Sequence, residues 1–104
     1  MIINLTPHQI CIYDENNNLI TKIAPSGAEA RVSETRERIG EEAQGIPVFS
    51  VRYGDITGLP DHDGNLYIVS ALVRAAANRT DVYSPGKLLR DAEGRATGCI
   101  GLTQ

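Results

Sequence analysis

Two histidines, two cysteines and eight arginines are the side chains of this sequence best suited to catalysis or ligand capture. A cysteine nucleophile would use Cys11 or Cys99 with His8 or His62, and needs the imidazole hydrogen-bonded to the thiol. Cys99 lies between Gly98 and Ile100 in an apolar run, which predicts a buried, inert thiol. Asp61-His62-Asp63 offers metal-ligand types. Adjacent residues diverge in a strand and only one histidine is present, so a solvated turn is the expectation. Asp81 with Asp91, or Glu41 with Glu42, could form an acid/base pair, but no spacing separates them from surface charge. The sequence contains neither G-x-x-x-x-G-K-[ST] nor G-x-G-x-x-G. No catalytic residue, cofactor or metal is assigned, and the enzyme reading leans towards no.

The stronger candidates are binding residues. Pro7 removes an amide donor and bends the chain between Thr6 and His8. Two readings of this segment stand. It is a strand-ending turn held by Thr6, with His8 capping backbone, or Asn4, Thr6 and His8 present polar groups to a ligand. Arg79 either favours a helix C-terminus or pairs with a phosphate, with Asp81 accepting from a ribose or base. Ser70, before Ala71, suits a helix N-cap and could also meet an anion. Arg31, Arg52 and Arg90 could approach from strand faces, and Tyr53 could stack on a base. The candidate ligand-binding set is Asn4, His8, Arg31, Tyr53, Ser70, Arg79, Asp81 and Arg90.

Charge narrows the partner. The 104 residues carry ten basic and thirteen acidic side chains, net -3. That argues against duplex nucleic acid as a partner, which wants a strongly basic surface. Eight arginines against two lysines favour planar, bidentate recognition of phosphate or carboxylate. Residues 1–64 are net -5 and residues 65–104 net +2, so an anion site should draw on the second half. The Met1-Ile2-Ile3-Asn4 start lacks a signal-peptide pattern, and no apolar run reaches the ~18–20 residues of a membrane helix. A cytoplasmic protein with reduced thiols, away from membranes, is the expectation.

The elements that must position these residues are short. At 41% apolar and 22% charged, the chain should fold as a single domain over 1–104. Asp14-Glu15-Asn16-Asn17-Asn18 between apolar arms predicts a hairpin, with arms around Ile10–Tyr13 and Leu19–Ile23. Residues 28–33 and 46–53 read as strands, with Pro47 at an edge or first position. The stretch 34–44 is helix-like in composition but has a narrow apolar stripe, so an extended hairpin or exposed loop is preferred. Leu66–Val69 reads as a buried strand. Ala71–Asn78 reads as a helix with Leu72, Val73, Ala76 and Ala77 inward and Arg74 outward or at the rim. Ser84-Pro85-Gly86 suits a type II turn, 90–94 a hairpin turn, and Gly98 and Gly101 a bulge or close approach in the last strand. The fold class is α+β, mainly β: a small, partly closed barrel or curled antiparallel sheet with one short helix.

Several segments taken together resemble a family of small phage and prophage proteins without an assigned activity. They are Asn4-Leu5-Thr6-Pro7-His8, Gly45-Ile46-Pro47-Val48, Tyr53-Gly54 with Gly58-Leu59-Pro60, and Tyr67-Ile68-Val69-Ser70. Pro85-Gly86, Leu89-Arg90-Asp91, Gly94-Arg95 and Gly98-Cys99 complete the set. The resemblance runs over nearly the whole chain and implies phage biology. By analogy of size and character alone, the chain is similar to oligomeric phage sponges that sequester nucleotide immune signals. The expected function is anti-defence: binding a phosphorylated cyclic nucleotide without turnover, in a pocket between subunits of a homo-oligomer. Alternatives are a structural or interaction protein, such as a virion accessory factor or host-protein blocker, and a nucleotide hydrolase using His8 or Asp81 as base.

Overall fold

A computed structural model describes residues 1–41 and 43–104, and the side chains of all of these except Glu41 and Ala43. Eight strands, one 3-10 turn and one helix follow in chain order. They are β1 (Ile2–Asn4), β2 (Ile10–Tyr13), β3 (Leu19–Ile23), β4 (Arg31–Glu41), β5 (Pro47–Thr57), β6 (Leu66–Ile68), α1 (Ala71–Ala77), β7 (Val82–Arg90) and β8 (Ala96–Thr103). Six strands form a curled, nearly closed sheet in the order β1-β6-β7-β8-β2-β3, and β4 with β5 forms a separate antiparallel pair. The fold is the mainly β barrel with one short helix that the residue pattern predicts. Pairing within it is mixed: β1–β6, β6–β7 and β8–β2 are parallel. The β6–β7 pair is parallel because α1 carries the chain back across the sheet between them.

Asn4 draws the two ends of the sheet together. It ends β1, and its amide nitrogen donates to Ile23 O at the end of β3, 3.1 Å away. The core has two parts divided by β6. Tyr67 and Val69 pack with Leu5, Ala30, Val73 and Val82 on the helix side. Ile68 points the other way, to Ile10, Ile12 and Cys99. Alternation of side chains along a strand explains the division. It also explains why Leu66-Tyr67-Ile68-Val69 is apolar throughout, being covered on both faces.

The Ile10–Tyr13 and Leu19–Ile23 hairpin forms as expected, with Asn17 at φ 64° in its turn. Ser70 caps α1, its hydroxyl accepting from Val73 N at 3.3 Å, and Asn78 ends it in the left-handed region at φ 49°. Of the four side chains expected inward, Val73 is buried and Ala77 half-buried; Leu72 and Ala76 are exposed. A helix of two turns touches the sheet along one narrow line, too narrow for four apolar side chains.

Three strand expectations change. The strand expected over 28–33 begins at Arg31 and continues as β4 through 34–41, so this stretch is the extended hairpin. The strand expected over 46–53 does not stop before Gly54: β5 runs on to Thr57. Gly54 lies opposite the bulge at Ser33, whose hydroxyl occupies the space a Cβ would need. Ser84-Pro85-Gly86 is not a turn; it lies inside β7, paired with the end of β8. Gly86 is required there because a Cβ would collide with Ile100 O. Gly98 does show the expected close approach, since its Cβ would stand 2.8 Å from Cys11 O.

Candidate functional site

The eight candidate residues do not meet at one site. Asn4 is 1% exposed and fully engaged: it donates to His8 O (2.7 Å) and Ile23 O, and its Oδ1 accepts from Thr6 N (2.9 Å) and Thr6 Oγ1 (2.7 Å). It shapes the Thr6-Pro7-His8 turn and has no donor left for a ligand. His8 is exposed, and its ring makes no hydrogen bond among the described residues. Tyr53 is exposed on the β4–β5 hairpin, across from Glu34. Arg90 sits at the β7–β8 turn, donating to Gly94 O at 2.8 Å.

Arg79 and Asp81 face each other. Arg79 donates from Nε to Asp81 Oδ1 (3.0 Å), from Nη2 to Asp81 Oδ2 (2.6 Å) and from Nη1 to Pro60 O (2.9 Å). His62 Nδ1 adds a contact to Asp81 Oδ2 at 3.2 Å. The Arg79 hydrogen bonds hold the Asp81 carboxyl below the usual carboxylate range. Each of the three Arg79 nitrogens is engaged, so the expected free fork for a phosphate is already closed. The catalytic options are similarly diverted. Cys99 is 1% exposed and burial pushes its thiol up, away from the reactive thiolate. Asp63 accepts from the Tyr67 hydroxyl, which lowers its carboxyl and raises the phenol. Cys11 and Cys99 lie on paired strands, yet both thiols are free.

Two of the eight do converge. A hollow of about 210 Å³ is lined by Thr6 and Pro7, by Glu29 to Val32, and by Ser70 with Leu72 and Val73. Arg31 reaches its mouth and pairs with Glu29 at 2.9 Å on the surface. Leu5, Ala30 and Val73 supply an apolar floor. The β1–β6 pairing brings these parts together, because Leu5 N bonds Ile68 O (2.8 Å) and so sets Thr6 beside Ser70. The segments Asn4 to His8 and Tyr67 to Ser70 therefore meet at one place.

A second hollow, about 330 Å³, opens beside the end of α1 and includes Arg74 and Arg79. Arg74 is half-buried, donating from Nε to the buried Ser84 hydroxyl at 2.8 Å. The helical pattern places Arg74 outward or at the rim. Its partner lies ten residues on, inside a segment that reads locally as a turn, so nothing near Arg74 in the chain signals the contact.

Among the described residues, no helix is long and apolar enough to cross a membrane and no acidic, histidine or cysteine cluster could hold a metal ion. No protein-family model matches the chain, and neither a curated protein nor a solved structure matches it.

Proposed function

We propose that the protein captures a small phosphorylated nucleotide without turning it over, in the hollow between Thr6, Arg31 and Ser70. The observation that carries this is the meeting of two hydroxyls and a guanidinium above an apolar floor. The Ser70 hydroxyl, which among the described residues only accepts from Val73 N, and Arg31 recognise phosphate. The Thr6 oxygen, already donating to Asn4 Oδ1, can accept from a sugar hydroxyl, and apolar surface receives a base. Away from the hollow, Asp81 is held by Arg79 and the Cys99 thiol is buried, which leaves His8, with its ring unbonded among the described residues, as the base that the hydrolase alternative would need.

A hollow of about 210 Å³ is smaller than the ~300–1,000 Å³ of typical small-molecule sites. A nucleotide site would therefore be completed by a second copy, making the functional unit a homo-oligomer. Together with the phage-type resemblance, this supports sequestration of a cyclic nucleotide immune signal as the biological role. Titration with a panel of cyclic nucleotides tests it. Arg31→Gln and Ser70→Ala should each weaken capture about tenfold. Unchanged affinity in both variants would place the site elsewhere.

One observation favours a second reading, an interaction protein. Phe49, Val51 and Tyr53 share one face of the β4–β5 hairpin, with Phe49 47% and Tyr53 52% exposed. Ile39 and Ile46 are exposed near its tip. Such a row suits docking on another protein surface.

A further inference from the structure

The hollow at the end of α1 has no part in that reading. It lies in the half of the chain with net charge +2. Its lining includes Arg74, Asn78, Arg79, Thr80, Val82 and Gln104. The two arginines differ in state. Arg79 is closed by Asp81 and Pro60 O. Arg74 is held through Nε alone, by a serine hydroxyl that is 1% exposed. Neither of its terminal nitrogens has a partner among the described residues. A guanidinium fixed at Nε retains its outer pair of nitrogens in a plane suited to two oxygens of one anion.

The surroundings complete the site. The Thr80 hydroxyl and the Asn78 side-chain amide make no hydrogen bond among the described residues. Gln104 Nε2 donates to Thr80 O, which ties the end of β8 to the segment after the helix. The end of a helix carries exposed carbonyls that repel anions. Here Arg74, in the last turn, sets a positive charge against those carbonyls. At about 330 Å³ the hollow falls within the range of small-molecule sites and has room for more than a bare ion.

We propose that this hollow binds a phosphorylated sugar, the two terminal nitrogens of Arg74 meeting phosphoryl oxygens and Asn78 and Thr80 meeting sugar hydroxyls. The site is separate from the Thr6–Arg31–Ser70 hollow and stands or falls without it.

Nuclear magnetic resonance titration of the full chain tests this with three probes: ribose 5-phosphate, inorganic phosphate and acetate. Ribose 5-phosphate should move the Arg74 Nε–H signal and the Thr80 and Gln104 amides saturably, and bind more tightly than inorganic phosphate. Arg74→Lys should weaken it about tenfold, since a lysine offers a point charge in place of a planar fork. Arg31→Gln should leave it unchanged. Because Arg74 also holds Ser84, Thr80→Val supplies a second variant; weaker binding at an unchanged melting temperature supports the site. No saturable shift, an equal response to acetate, no preference for the sugar phosphate, or full affinity in Thr80→Val would each overturn it.

Discussion

Arg79, Asp81 and His62 form a closely bonded polar cluster, with Asp81 only 8% exposed. Its consequence is acid sensitivity. Asp81 is held below its unfolded value of about 3.9, so the stability it contributes is complete above that value. That stability is lost as pH falls through the lower, folded value. Asp81→Ala should cost roughly 1–3 kcal/mol near neutral pH and show a smaller further loss in acid than the parent, as read by thermal melts at each pH. Ser70 carries a second residue-scale prediction, since it both caps α1 and lines the smaller hollow. Ser70→Ala should cost ~1 kcal/mol and Ser70→Gly only a few tenths. If both lose nucleotide capture equally despite that difference, the hydroxyl acts on the ligand and not merely on the helix. At this scale the sequence exposes the residue types but not their partners. Arg79 and Asp81 are two apart and read equally well as ligand contacts; in the fold they pair with each other. Asn4 is legible as polar in an apolar strand, but its bond to Ile23, nineteen residues away, is not.

The elements are more legible because their signals are local. The Asp14-to-Asn18 turn, the Ser70 cap and the apolar Leu66–Val69 run each rest on neighbouring residues, and each forms as read. Differences arise where glycine and proline serve a distant strand. Pro85-Gly86 reads as a turn locally, whereas β8 requires a strand with no Cβ facing Ile100 O. Gly98 meets the same kind of limit: a side chain there would bring its Cβ to 2.6 Å from the Tyr13 ring and 2.8 Å from Cys11 O. Gly98→Ala should therefore destabilise the protein by about 1–3 kcal/mol in chemical denaturation, by forcing β2 and β8 apart. A neutral result would mean that the two strands separate more easily than their packing implies.

For the whole molecule the long β4–β5 hairpin dominates the shape. The radius of gyration is 16.7 Å, against about 13 Å for a compact chain of this length, and the longest extent is 49 Å. Among the described residues, the base of the hairpin packs on the core, through Val32 and Ile56. The rest is a two-stranded ribbon, and such ribbons are marginal in water without something to cover a face. In the interaction-protein reading a partner surface, of which a second copy of this chain is the first to test, would cover the Phe49–Val51–Tyr53 face. Phe49→Ser with Tyr53→Ser should lower the mass measured by light scattering while the melting temperature of the barrel changes little. A mass equal to that of the unsubstituted protein would remove this face from the assembly.

Capture without turnover is open to one direct measurement. The protein is incubated with a panel of cyclic nucleotides, freed of unbound ligand, heat-denatured, and the released material analysed by mass spectrometry. One phosphorylated nucleotide should be retained by the folded protein and released intact, and Arg31→Gln should retain less of it. Recovery of an altered nucleotide, or retention of none of the panel, would contradict the claim.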